Sequence, residues 1–335
     1  MRICKLVNLA LPKATSSAAR KQPPSCYNWW GKLPAMRKRI TVAIIIGTVS
    51  GIFCWFLMKH THQGAADFGW AIHLAQRLLA GQNPYDTQLE QYPLTAAVFA
   101  LPFVRLQPEI AAGTFYGISS ALLAFGLTRK NFGRLRVFLA FPYWAGALSV
   151  QWMPIIAASA FFPLLLPVTM MKPQVGLPVF LTRLSRRGLL ACIAVAALTF
   201  VLLPRWPRLW LGQAHYYQHF IPLLVFPGPF LLLALLRYRD RDAWLLLLSS
   251  IMPQRWFFDA FTLWLIPKSR WQILLTAVFS WGAGVWRWYH QPANFTEVGR
   301  AAVLFLYLPM LLVILGRRPP AANLAGSQGS QSDEP

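Results

Sequence analysis

The chain has 335 residues, 56% of them hydrophobic and only 13% charged, with 15 Trp and 23 Phe. Soluble domains carry about 25% charged residues, so the composition excludes an ordinary soluble enzyme and points to an all-α polytopic membrane protein. The net charge of +22 does not mark a nucleic-acid binder, because the basic residues sit in clusters between apolar segments, as topogenic signals do.

Residues 1–39 hold nine Lys/Arg and no acid. The run Ile3–Leu11 is broken by Lys5 and closed by Pro12, too weak for a signal-peptide core, and the segment reads as a cytoplasmic arm. Residues 40–58 are nineteen uncharged residues, long enough to cross a bilayer. The cysteines Cys4, Cys26, Cys54 and Cys192 form no CxxC pair, which supports neither a disulfide framework nor a zinc site.

The stretch from Asp67 to Tyr92 is polar by comparison. From Phe68 it has helical periodicity, with Phe68, Ala71, Ile72, Ala75, Leu78 and Leu79 on one face and Trp70, His73, Gln76 and Arg77 opposite, a pattern suited to a membrane surface. Gly81 and Asn83-Pro84 end it. Two readings are open for Asp67 at its head: an N-cap, or a general base.

Residues 92–102 are apolar but too short to span. If they dip in and return, the basic loop 129–136 falls inside, as the positive-inside rule prefers. Further spans are expected near 109–128, 137–150, 152–168, 188–203, 221–236, 271–286 and 299–316. A re-entrant stretch is expected after Lys172-Pro173-Gln174, and two short apolar pieces, 243–253 and 257–267, are split at Gln254-Arg255. The total is about ten crossings in a domain of residues 40–318. The tail 319–335 is too polar and Gly/Ser-rich to pack and is expected to be disordered. Most of the 32 Lys/Arg then fall inside with both termini, whereas Asp67, Asp86, Glu90, Glu109, Asp259 and Glu297 map outside.

No acid falls at the middle of an expected span, which argues against an ion-coupled transporter. The polar residues gather on the outer side in the Asp67–Tyr92 loop and in segments 204–220, 253–259 and 287–297. His215 and His219 have the spacing of two metal ligands on one helix face, but no third ligand accompanies them, and interfacial anchoring with Tyr216 and Tyr217 is the alternative. Arg205 and Arg208 suit lipid phosphates. Arg255 either pairs with Asp259 to hold its turn or grips a phosphate, for which a guanidinium is well shaped. Lys172 is either an inner-leaflet anchor or part of a site.

Taken together, Asp67-Phe68, the motif Gly81-x-Asn83-Pro84-Tyr85-Asp86, Tyr92-Pro93-Leu94, Lys172-Pro173-Gln174 and the aromatic turn 253–259 resemble the polyprenol-phosphate-dependent glycosyltransferases of bacteria, more closely glycosyltransferase family 87. The resemblance runs from Asp67 to Pro267. It implies a GT-C-like bundle with surface-lying amphipathic helices on the periplasmic side of the inner membrane. It also implies a polyprenyl-phosphate sugar donor, transfer with inversion to a glycolipid, glycan or protein acceptor, and no cofactor. The family's catalytic carboxylate maps onto Asp67. Two motifs depart: Tyr92-Pro93-Leu94 stands where the family commonly has two prolines, and Arg255-Trp256 where it has Ser-Trp, with Phe257 and Phe258 in place of a following His. Arg255 is therefore the first candidate for the donor phosphate, followed by Lys59, Arg205 and His215, with Tyr85, Tyr92, Lys172 and Gln174 as further substrate contacts. The competing reading is a polyprenol-lipid flippase or carrier.

Overall fold

The structure is a computed structural model that describes residues 33–86, 92–213 and 217–317. Two compact units divide the chain, Met1–Lys38 and Arg39–Pro335; of the first only Leu33–Lys38, the opening residues of one helix, are described, and the second carries the rest. Residues 1–32 of the expected arm and the tail beyond 317 lie outside the described residues. Helix α1 (Leu33–Thr61) begins at Leu33, within the last residues of the expected arm. Hydropathy marks where the apolar run starts, whereas Pro34 near the first helical position starts the helix.

The side chains of α1 are exposed over most of its length, Ile44 by 59% and Ile52 by 58%, which in a folded chain marks a surface meant for something apolar. Helix α2 (Ala66–Leu79) follows, then α3 (Leu94–Ala100) with a short 3-10 turn Leu101–Phe103, then α4 (Pro108–Leu127). Helices α1 and α4 cross on glycines. A Cβ at Gly51 would lie 2.8 Å from the Gly113 carbonyl oxygen, and one at Gly117 would lie 2.9 Å from that of Gly47. Two Gly-x-x-x-Gly steps thus face each other, letting the backbones touch where lipid supplies no hydrophobic drive.

Beyond α4 the apolar sequence is chopped by prolines. A 3-10 segment Phe132–Leu139 leads to α5 (Phe141–Leu148), α6 (Met153–Ser159), a second 3-10 segment Pro163–Met170 and α7 (Pro173–Arg183). From α5 to α7 each of these pieces carries Pro in its first turn, where the missing N–H costs nothing but the preceding helix must already have ended. Then come α8 (Arg186–Leu202) and α9 (Trp206–Gln213), bent by 93° to each other. The chain ends with a 3-10 segment Gly228–Arg237, α10 (Arg241–Ile251), a 3-10 segment Phe257–Leu265, α11 (Arg270–Tyr289), α12 (Phe295–Ala302) and α13 (Leu308–Leu315), the last two joined by a π turn. Among the described residues there is no strand, only one antiparallel bridge in which Phe220 and Gln254 exchange two backbone hydrogen bonds of 2.8 Å.

Three helices are long and apolar enough to cross a membrane, Pro34–Thr61, Pro108–Leu127 and Phe295–Leu315, or four if the bent α8–α9 pair counts as one. These are the apolar helices of a membrane-embedded protein. One expected span is corrected. Residues 152–168 do not run straight: α6 ends at Ser159, the Arg129 guanidinium donates to the Phe161 carbonyl at 2.7 Å just beyond it, and the segment Pro163–Met170 packs back on α6 so that Lys172 reaches Gln151. Helix α7 starts beside Asp67 and ends at Arg183. Proline-rich apolar sequence without charges carries no sign of where it reverses. The split between 243–253 and 257–267 corresponds to α10 and the Phe257–Leu265 segment.

These reversals sort the polar residues to two ends. One end holds Asp67, Tyr92, Lys172, Tyr217 and Arg255, and the other holds Lys130, Arg134, Arg183, Arg239 and Lys268.

Candidate functional site

At the first end lies a cavity of about 180 Å³ lined by Asp67, Trp70, Tyr92, Lys172, Gln174, Tyr217 and Arg255, with Pro93, Met171 and Pro173. Asp67 is delivered by α2, whose N-cap is Ala65 with no side-chain cap. The capping reading of Asp67 is therefore excluded, since the carboxylate sits one residue inside the helix and points to other partners. Packing fixes its place. Phe68 stacks on Phe115 of α4 with centroids 4.0 Å apart, and Trp152 sets its edge against both rings. The Asp67 N–H also donates to the Ser149 carbonyl at 3.2 Å.

The partner of the carboxylate is Gln151, which sequence reasoning missed. Its Nε2 donates to Oδ2 of Asp67, and its Oε1 accepts from Lys172 Nζ at 2.9 Å. Only this orientation of the amide serves both neighbours, because an ammonium can only donate and a carboxylate can only accept. Oδ1 of Asp67 has no hydrogen bond among the described residues, which leaves one carboxylate oxygen for a ligand. The loop that presents Gln151 is strained. Val150 has φ of 49°, and Ala66, just before Asp67, has φ of 44°. A β-branched residue in the left-handed region costs about 1–3 kcal/mol, a burden found chiefly where function holds the backbone in place.

Lys172 is buried and ion-paired with Asp259 at 2.8 Å, below the face of Phe258. Asp259 in turn accepts the backbone N–H of Arg255 at 2.8 Å through its second oxygen. The expected Arg255–Asp259 side-chain pair is thus corrected: Asp259 holds the turn through the backbone of Arg255 and saves its charge for Lys172. The anchor reading of Lys172 fails as well, because the side chain is enclosed by protein. A continuous chain, Asp67–Gln151–Lys172–Asp259–Arg255 backbone, runs along one wall. The Arg255 guanidinium is exposed and makes no ion pair among the described residues.

Two phenols complete the lining. Tyr217 Oη accepts from Gln174 Nε2 at 3.1 Å. Burial, with the Asp259 charge adding, pushes its pKa well up, and Tyr92 is likewise raised by burial and then by Asp67. Both stay protonated and serve as hydrogen-bonding groups rather than bases.

Of the residues expected at a site, Asp67, Tyr92, Lys172, Gln174 and Arg255 converge on this cavity. Tyr85 does not line it but supports it, donating to the Tyr92 carbonyl at 3.1 Å. Lys59 lies exposed over the Trp55 ring and Arg205 is exposed at the start of α9, so neither joins the site. Proximity of a charge to the same outer loops was their only support. His215 lies outside the described residues. His219 bonds back to the Tyr217 carbonyl, and among the described residues no three His, Cys, Asp or Glu side chains cluster to hold a metal. Gln151 left one signal in the sequence, a lone amide between two apolar runs. Tyr217 was legible only as an interfacial aromatic.

Next to the polar cavity, sharing Pro93 and Pro173 with it, is a wholly apolar one of about 350 Å³ lined by residues such as Met170, Leu177, Phe180, Ile193 and Trp210. The arrangement is that of a membrane-embedded helical protein with a carboxylate and a cation facing one small cavity beside an apolar groove. Compared with known proteins, the chain matches no family model, no curated protein and no solved structure.

Proposed function

We propose that the chain is an inverting membrane glycosyltransferase that moves a hexosyl group, of the mannosyl type, from a polyprenyl-phosphate donor to an acceptor hydroxyl. One observation carries it: Asp67 and Arg255 face the same 180 Å³ cavity, and that cavity abuts a groove with the chemistry of an isoprenoid chain. A general base, a phosphate-gripping cation and a hydrophobic cradle are the three parts such a reaction needs.

In this reading the lipid chain lies in the apolar groove and the phosphate meets Arg255. The acceptor hydroxyl hydrogen-bonds to Oδ1 of Asp67. As its oxygen bonds to the anomeric carbon, Asp67 takes the proton and the bond from that carbon to the phosphate oxygen breaks on the opposite side. The electron pair leaves with the phosphate, and Arg255 stabilises the charge as it develops. Gln151 holds Asp67 still, and Lys172, neutralised by Asp259, holds Gln151. A leaving lipid phosphate is already a stable anion, so a metal is less necessary here than with a nucleotide-sugar donor. Loops rich in Lys and Arg gather at the opposite end of the molecule, which by the positive-inside rule supports a reading with the cavity on the extracytoplasmic face of a bacterial inner membrane and both termini cytoplasmic.

Asp67→Asn is the test. Sugar transfer from a synthetic polyprenyl-phosphate hexose should fall by about 10²–10⁴, the usual worth of a general base, while binding of the lipid persists. Transfer by the variant at the normal rate would end the proposal, and lipid translocation without transfer would favour the carrier.

A further inference from the structure

The end of the molecule away from Asp67 carries a second, larger concavity of about 900 Å³, whose lining includes eight cationic side chains against two carboxylates. Both carboxylates are already satisfied. Asp242 is buried and receives Arg183, Lys268 and Arg317, each at 2.9 Å. Asp240 receives Arg317 as well and caps α10. The Arg237 guanidinium donates to the carbonyls of Leu315 and Arg317. Lys130, Arg134 and Arg241 remain without a hydrogen bond or ion pair among the described residues.

A solvated basic face would explain exposed Lys130 and Arg241, but not Arg134. Its Nε is buried without a partner, its guanidinium lies 5.7 Å from the Phe161 ring, and Nε of Arg183 on the same wall is buried and unpaired too. A half-buried guanidinium with no carboxylate or carbonyl partner is costly unless an anion at its accessible face supplies one. Arg241 adds to the excess: it occupies the first turn of α10, where the helix dipole disfavours a cation and favours an anion.

We infer that this concavity is a binding site for a phosphate-bearing anion, held by Arg134, Lys130 and Arg241 over the Asp242 cation cluster. Several cations converge on one hollow, and guanidinium groups recognise phosphate oxygens bidentately. The same chemistry is offered by the headgroup of an anionic phospholipid and by a free phosphate compound. The inference stands independently of the transfer reaction proposed for the Asp67 cavity.

The test uses the purified full chain and the triple variant Lys130→Gln, Arg134→Gln, Arg241→Gln in two arms. In the first, inorganic pyrophosphate is titrated calorimetrically onto protein in a neutral detergent. In the second, protein is reconstituted into vesicles of phosphatidylcholine with or without phosphatidylglycerol, and the lipid retained on re-extraction is counted by native mass spectrometry. Wild type should bind in at least one arm, and the variant should bind about a hundredfold more weakly, near fivefold per removed charge. Pyrophosphate binding identifies a free anion as ligand, and selective retention of phosphatidylglycerol alone identifies a headgroup. No binding in either arm, or variant binding within twofold of wild type, overturns the inference. If the triple variant does not fold, the exposed single variants Lys130→Gln and Arg241→Gln replace it, each expected to weaken binding about fivefold, and wild-type affinity in both overturns the inference equally.

Discussion

Lys172 Nζ lies 2.8 Å from Oδ1 of Asp259, with 7% and 0% of the two side chains exposed. Residues 87 positions apart in sequence thereby close the floor of the Asp67 cavity. Breaking a buried pair strands a charge, at about 3–5 kcal/mol, whereas replacing both partners by apolar groups is often near neutral. Lys172→Met should therefore lower the melting temperature in detergent sharply. The double variant Lys172→Met, Asp259→Leu should regain much of the loss, less what the orphaned Arg255 N–H costs. A double variant as unstable as the single one would show that the pair is not a charge-compensated unit.

Gln151 transmits that pair to Asp67. Gln151→Leu keeps the volume and removes both hydrogen bonds, so Asp67 loses its orientation and Lys172 one acceptor. Initial rates of sugar transfer should fall about 10-fold to 100-fold through kcat, with donor KM little changed, because a misplaced base affects the step more than the binding. Gln151→Glu should be worse, since it sets a second carboxylate against Asp67. Equal activity of Gln151→Glu and wild type would remove Gln151 from the mechanism.

Arg255 is exposed and has no ion pair among the described residues, so its replacement should cost little stability. A charge-assisted contact is worth about 1.5–3 kcal/mol, and Arg255→Gln should reduce kcat/KM for the lipid donor about 10-fold to 100-fold while the melting temperature holds. Arg255→Lys should recover only part, because an ammonium lacks the paired donors. If the Gln variant matches wild type across donor concentrations, another group receives the phosphate.

The α1–α4 crossing offers a test far from the cavity. Gly51→Leu must push its side chain into the Gly113 carbonyl, whose oxygen is already 2.8 Å from the position of a Cβ. Overpacking of this kind costs about 1–3 kcal/mol, seen as a lower melting temperature and reduced yield after extraction. Unchanged stability would mean that the two helices separate freely.

Some of this was legible in the chain. Helix α2 buries Phe68, Ala71, Ile72 and Ala75, the stripe that its period of 3.6 announces, though Leu79, expected on that stripe, is 64% exposed at the helix end. The motifs around Asp67, Tyr92, Lys172 and Arg255 were visible as polar islands in apolar sequence, and these four do meet at one cavity. Glycines four apart at 47, 51, 113 and 117 are equally plain in the chain, but their meaning depends on the two helices facing each other, which no local pattern states.

By itself, then, the sequence determined that the protein is helical and membrane-embedded, and which few polar residues stand out from an apolar background, since both follow from composition and local period. Only the tertiary structure decided that the run 152–168 turns back at Phe161, bringing Lys172 to Asp67 instead of to the basic loops, and that Gln151 rather than a helix end holds the carboxylate. A buried hydrogen bond is made by whichever partner packing brings within about 3 Å. In a chain of interchangeable apolar segments, nothing local says which segment that will be.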